Sequence, residues 1–236
     1  MTAGFIFDYG GTLDTGGQHW GQVLWHAYER HRVPVSEAQF REAYVHAERT
    51  LGRNPIIRPD YTFRQTLETK LCLQLECFRG VWSEECGARY AEVLADDLYA
   101  RTVEQTARSL KVLQTLKDQG VPMVLVSNFY GNMPVVLHEF GFDGLFVKVV
   151  ESAVVGIRKP DPRIFLLGVD ALGLKPAEVT VVGDSLDKDI IPAHEAGCQT
   201  VWLRGEGWTP VSYNGDCPYC EMIDSLDELL EMIKTK

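Results

Sequence analysis

Four short polar clusters in this sequence each lie beyond an apolar run. Asp8-Tyr9-Gly10-Gly11-Thr12 follows Phe5 to Phe7, Ser127-Asn128 follows Val121 to Val126, and Gly183-Asp184-Ser185, with Asp189 close behind, follows Val179 to Val182. The fourth, Arg158-Lys159-Pro160-Asp161, comes after a run from Phe146 to Val150. In an open parallel sheet, ligands bind outside the carboxyl ends of the strands, so residues at such places converge on one crevice. Together they supply two acidic clusters, a hydroxyl and a cation. That is the inventory for a carboxylate nucleophile, a hard oxygen-liganded metal ion and a phosphate.

The elements that must position these residues can be read from hydrophobic periodicity. With Thr200 to Leu203 there are five β-rich runs, none alternating with polar residues, and amphipathic helical patterns separate the later ones. Such runs are what a parallel sheet covered on both faces produces, so the expected class is α/β with a doubly wound sheet. Leu110, Leu113 and Leu116 predict a helix from about Thr106 to Gln119, ended by Gly120 as a left-handed C-cap. Between Gly16 and Tyr99 every periodic segment is helical. Ser36 with Gln39 and Thr62 with Gln65 have capping-box spacing ahead of Phe40-Ala43-Tyr44-Ala47-Leu51 and Leu67-Leu71-Leu75. The expected organisation is a core of residues 1–15 and 103–236, with residues 16–102 inserted as a helical cap that forms a lid over the strand ends.

Composition narrows the function classes. A formal charge of -10 leaves no general basic surface for nucleic acid, so an anionic ligand must be small and held locally. No apolar stretch approaches the roughly 20 residues of a membrane span, and Met1 leads straight into Phe5-Ile6-Phe7 without a charged leader, so no membrane partner and a cytoplasmic location are expected. The 6 cysteines are scattered, which argues against a disulfide framework. Cys217-Pro218-Tyr219-Cys220 has the spelling of a glutaredoxin redox tetrad but sits near the C-terminus, away from a first strand, and a reduced surface pair is the expectation. A zinc site there would need two further ligands, for which His194 and Cys198 are the candidates. Oligomeric state leaves no signature in the sequence.

The Asp8-Tyr9-Gly10-Gly11-Thr12-Leu13 segment resembles the first motif of the haloacid dehalogenase superfamily. Ser127 resembles the second motif, Lys159 with Pro160 the third, and Gly183-Asp184-Ser185-Leu186-Asp187-Lys188-Asp189 the fourth. The resemblance covers nearly the whole chain, with the four motifs in order. It implies a Rossmann-like sheet with a helical cap of the family's C1 type, and a hydrolase acting on a small phosphorylated metabolite. Asp8 is then the nucleophile that forms an aspartyl-phosphate. Mg²⁺ is held by Asp8, the backbone carbonyl of Gly10 and Asp184, with Asp189 a ligand or an orienting group. Ser127 and Lys159 take the transferring phosphoryl group, with Asn128, Gly11 and Thr12 as further phosphate-binding positions, and the Gly-Gly step turns its N–H groups toward the phosphate.

One position departs from the pattern. Phosphatases of this family carry a second Asp two residues after the nucleophile, and this sequence has Gly10 there. Losing general acid–base catalysis costs about 10²–10⁴-fold, so slow or specialised turnover is expected, least impaired for good leaving groups such as aryl or acyl phosphates. Asp14, His19 and His26 are candidates to replace the missing donor, although each also has an ordinary structural reading. Phosphonoacetaldehyde hydrolases also lack that Asp but use a cap lysine as a Schiff base; the only lysine between Gly16 and Arg101 is Lys70, and Arg49 stands where that lysine is sought. Haloacid dehalogenases have Tyr at the Gly10 place and work without metal, whereas Gly183-Asp184-Ser185 has the metal-binding form. A catalytically silent phosphate- and Mg²⁺-binding sensor is the alternative that Gly10 keeps open. Trp20, Trp25 and Tyr28 are read as helix packing.

Overall fold

The computed structural model describes residues 2–208 and 217–234. Six strands form one parallel sheet: β1 (Gly4–Phe7), β2 (Met123–Ser127), β3 (Lys148–Glu151), β4 (Val179–Gly183), β5 (Gln199–Leu203) and β6 (Glu221–Ile223). Their order is β3-β2-β1-β4-β5-β6. β1 therefore lies centrally, pairing Phe7 with Leu125 of β2 on one side and with Val182 of β4 on the other. The chain winds outward in both directions from β1, so the crevice beside its C-terminal end is the topological switch point. The five expected runs are all strands, and β6 is an additional edge strand too short to give a periodic signal.

Side chains alternate across the sheet as the pleat requires. Phe5, Phe7, Leu125 and Val182 pack in a cluster that continues without a break into Leu24, Phe40, Leu71 and Leu94 of the helical insertion. On the opposite face Ile6, Val124, Val126 and Val181 meet Ile164, Phe165 and Val169 of α7 (Arg163–Leu172).

The insertion is built from α1 (Trp20–Arg30), α2 (Glu37–Arg53), α3 (Phe63–Glu76) and the first half of α4 (Glu84–Asp118). Both predicted capping boxes close: the Ser36 and Thr62 side chains accept the N–H of Gln39 and Gln65, and each glutamine reaches back to the cap N–H. The expected helix from Thr106 is the C-terminal part of a 35-residue helix, roughly 50 Å long at 1.5 Å per residue. No proline interrupts residues 84–118, so nothing stops the helix at residue 103 and one rod crosses from the lid into the sheet layer. It ends as expected, with Gly120 at φ 74° and the Val121 N–H donated to the Leu116 carbonyl at 3.1 Å. No helix among the described residues is long and apolar enough to cross a membrane.

The remaining helices flank the sheet: α5 (Met133–Glu139), α6 (Ser152–Val155), α8 (Ile191–Glu195) and α9 (Glu228–Lys234). A π-helical turn over Leu186–Ile190 follows β4. Cys217 and Cys220, expected as free thiols, are joined in a disulfide. Cys217 is buried against Leu186 and Ile190 of that turn, so tertiary packing brings the pair together where spacing alone suggested a solvent-exposed loop. It also removes both sulfurs from any zinc site with His194 and Cys198. The bridge closes a loop of very few residues, so its entropic contribution is about 2 kcal/mol. Reduction with dithiothreitol is expected to lower unfolding free energy by no more than that, read as a shift in the urea midpoint; a loss well above it would mean that the bridge holds the Leu186–Ile190 turn as well.

Candidate active site

Two of the three acidic groups at the crevice are delivered by the ends of strands, and the third by the turn after β4. Asp8 follows β1 directly, and its backbone N–H is fixed at 3.0 Å by the carbonyl of Val182 on the neighbouring strand. Asp184 follows β4, and Asp189 sits on the π-helical turn. Carboxylate oxygens of Asp8, Asp184 and Asp189 lie within 4.8 Å of one another. Two glycines permit this approach. Gly11 has φ 103°, and a Cβ there would overlap the Asp184 carboxylate; a Cβ on Gly183 would overlap Asp189.

Three carboxylates so close repel one another, and Lys159 answers them. Its Nζ donates to Asp8 Oδ1 at 2.5 Å and to Asp189 Oδ1 at 2.7 Å, with all three side chains almost fully buried. Burial disfavours the ammonium, but Asp189 and Asp8 more than offset it and hold the Lys159 pKa above an ordinary lysine. Burial pushes Asp8 up to about 6, against the attraction of Lys159 and with the repulsion of Asp189. Asp184, half-buried, is raised well above a normal carboxyl by burial and by the charges of Asp189 and Asp8. The trio thus carries more negative charge than one lysine neutralises. An oxygen-only donor set of this kind fits a hard divalent cation such as Mg²⁺.

The expected phosphate-binding residues divide in two. Ser127 and Lys159 line the cavity of about 130 Å³ in front of Asp8, as do Asn128 and Gly10. The Asn128 amide is spent on Lys159, donating Nδ2 to its carbonyl at 3.0 Å and accepting its N–H at 2.9 Å, so it clamps the lysine backbone. Gly11 donates its N–H to Asp14 Oδ1 at 2.8 Å. The Thr12 hydroxyl is directed at Asp184 (3.1 Å) and Asp8 (3.3 Å). These two residues brace the turn that carries Asp8. Asp189 has both oxygens engaged, by Lys159 and by the Ser185 N–H at 3.1 Å.

The candidates for proton transfer also separate. His26 is exposed and paired with Glu206 at 2.7 Å and Glu29 at 3.0 Å, away from the cavity. His19 lines the cavity, but burial and then Lys188 push its pKa down to about 4, and its Nδ1 caps α1 by accepting the Gly21 N–H. Asp14 lines the cavity too; burial raises it to about 7 against hydrogen bonds from Gly11 and from Trp20 Nε1 at 2.9 Å. Trp25 and Tyr28 pack on Phe40, whereas Trp20 forms cavity wall. Glu48 and Tyr130 also reach the cavity and were not foreseen, and Lys70, weighed above only as a Schiff-base lysine, lines it with them. Their only signal was a charge set in an apolar helical stripe, Glu48 four residues after Tyr44 and Lys70 three after Leu67.

A doubly wound parallel sheet with a carboxylate cluster and a buried lysine at its switch point, roofed by a helical insertion, defines a class of aspartate-dependent hydrolase folds. The family model for haloacid dehalogenase-like hydrolases matches residues 2–197, and the chain belongs to that family. A glyceraldehyde 3-phosphate phosphatase of Methanopyrus kandleri is 39% identical over 100 residues, 42% of each chain. A phosphoglycolate phosphatase of Haemophilus influenzae is 32% identical over 129 residues, 52% of this chain and 54% of the other. The chain spans about half the length of the curated relatives it matches. Among solved structures, a dehalogenase with an intermediate complex superposes with a TM-score of 0.64 over 98% of this chain and 96% of its own, and at 20% identity that likeness concerns the fold alone.

Asp14 titrates near 7 when folded and near 3.8 when unfolded, so the folded state holds an extra proton between those values. Stability contributed by this proton is present below about pH 4 and is lost as pH rises toward 7. Asp8 and Asp184 are shifted in the same direction. Metal-free protein is therefore expected to melt at a higher temperature at pH 5 than at pH 7.5, and Asp14→Asn to lose part of that difference. An unchanged slope in the variant would assign the whole effect to the other two carboxylates.

Proposed function

We propose that the protein is a Mg²⁺-dependent phosphatase of small phosphorylated metabolites that works through an aspartyl-phosphate on Asp8. The observation that carries this reading is the placement of Asp8: buried at the end of β1, one oxygen held by Lys159, facing a cavity that Asp184 and Ser127 also line. The phosphatase names of the relatives and the family's hydrolase chemistry support it.

In this mechanism a carboxylate oxygen of Asp8 attacks phosphorus, the bond to the leaving oxygen breaks, and water later hydrolyses the acyl phosphate. Lys159 stays charged, pointing the attacking carboxylate and offsetting the phosphoryl charge. Mg²⁺, held by Asp8, Asp184 and the Gly10 carbonyl, would supply further charge neutralisation where the phosphoryl oxygens approach Asp8. Ser127 lies at the end of β2 beside this path and would bind the transferring group. The helices of residues 16–102 act as the cap that closes the site to water. Gly10 transfers no proton. Of the three candidates Asp14 alone combines a place in the cavity wall with a pKa near neutrality, and it would protonate the departing oxygen.

Asp8→Asn should abolish turnover of any phosphate ester, because an amide cannot act as this nucleophile; a purified variant that kept activity would refute the covalent step. If it and the wild type alike bind phosphate in Mg²⁺ but turn over nothing, the protein is the silent binding module. Gly10→Asp tests the missing acid. Gly10 lies outside the left-handed φ region that only glycine tolerates, and a Cβ there meets only Trp20, at 3.8 Å, so the variant should fold. Because Asp14 is the acid in this mechanism, turnover of alkyl phosphates is expected to change little; a rise of about 10²-fold, with little gain on aryl phosphates, whose leaving oxygen needs no proton, would remove Asp14 from that role. No gain on alkyl phosphates in a folded variant would mean that Asp14 already supplies that proton.

A further inference from the structure

Glu48 on α2 and Lys70 on α3 form an ion pair in the lid, with Lys70 Nζ 2.7 Å from Glu48 Oε1 and side chains only 12% and 29% exposed for Lys70 and Glu48. Tyr130, in the loop after β2, donates its hydroxyl to the other Glu48 oxygen at 3.0 Å. All three line the same cavity as Asp8, together with the rings of Trp20, Tyr44 and Phe63. A buried ion pair is a weak stabiliser, because stripping water from two charges costs about what their attraction returns, and an apolar pair of similar size often serves the fold equally well. The neighbouring lid positions are apolar and aromatic, so packing alone gives no reason for two charges here. Their place in the cavity wall does.

The pair is closed toward further charge. Lys70 is compensated by Glu48 and lies 5.9 Å from the Trp20 ring centroid and 5.6 Å from that of Tyr130. Burial opposes both charges, yet each holds the other ionised, Glu48 below its ordinary pKa and Lys70 above. A carboxylate on the substrate would meet no uncompensated buried cation at this wall, would lie beside Glu48, and would face aromatic rings whose π-faces are negative. Arg158 and Lys188 also line the cavity, but both are exposed and screened by solvent. A hydroxyl, in contrast, can donate to Glu48 and accept from Lys70 at once.

We propose that Glu48 and Lys70 form the leaving-group subsite, and that it selects phosphomonoesters of short, hydroxylated, uncharged compounds over carboxylated ones. This rests on the phosphatase reading above and separates the two kinds of substrate named for the relatives. The test is titration calorimetry in Mg²⁺ with the Asp8→Asn protein, using glycerol 3-phosphate, phosphoglycolate and inorganic phosphate as ligands. Glycerol 3-phosphate is expected to bind at least about tenfold more tightly than phosphoglycolate, and a tenfold difference corresponds to about 1.4 kcal/mol. In the Glu48→Gln background the gap should shrink below about threefold through tighter phosphoglycolate binding, with inorganic phosphate unchanged. If that variant does not fold, Glu48→Gln with Lys70→Met strands no buried charge and should close the gap in the same way. Equal or tighter binding of phosphoglycolate by the starting protein, or a gap that survives these changes, would overturn the proposal. Failure of the unaltered protein to bind inorganic phosphate in Mg²⁺ would instead remove the phosphatase reading on which it rests.

Discussion

The buried ammonium of Lys159, 2.5 Å from Asp8 and 2.7 Å from Asp189, is the interaction on which the arrangement of the crevice depends. Without it the ends of β1 and β4 would bring carboxylates together inside a protein interior, where unpaired charges are costly. Its own position comes from a third strand, since Asn128 after β2 grips the Lys159 backbone on both its N–H and its carbonyl. Three strand ends are thereby locked to one cation. The residual negative charge is left facing the cavity, where it fits a divalent cation.

The same economy explains why several polar groups near Asp8 do not face a ligand. Gly11 and Thr12 turn their N–H and hydroxyl inward to Asp14, Asp184 and Asp8, and this braces the loop that carries Asp8. Asp14 then links the loop to Trp20 at the start of the lid, so core and lid meet in a hydrogen bond beside the place where the family's second Asp would stand. The continuous apolar cluster from Phe7 to Leu94 makes the same connection in packing.

The lid contributes a different kind of wall. Its inward face is aromatic, with one polar device made of Glu48 and Lys70 and tied to the core loop by Tyr130. In the proposed function, chemistry on phosphorus falls to residues at the strand ends, and discrimination to residues on helices that pack over them. This division lets a lid change its substrate without disturbing the nucleophile.

Local patterning determined much of this protein. Unalternated apolar runs specify buried parallel strands, capping boxes at Ser36 and Thr62 start helices through contacts spanning three residues, and functional groups just past strand ends follow from how parallel sheets bind ligands. Asp8, Ser127, Lys159 and Asp184 were legible for that reason. Tertiary structure alone decided the rest. β6 is three residues long and exists because β5 offers it an edge. α4 runs unbroken from lid to core because no residue interrupts it, which no periodicity distinguishes from two abutting helices. Whether Asn128, Gly11 and Thr12 face phosphate or protein depends on donors and acceptors far away in sequence or across a turn, and here the protein took them. The closure of Cys217 to Cys220 against Leu186 and Ile190, and the meeting of Glu48, Lys70 and Tyr130 from three separate elements, are long-range events. Sequence periodicity reports which face of an element is buried; it does not report what that face is buried against.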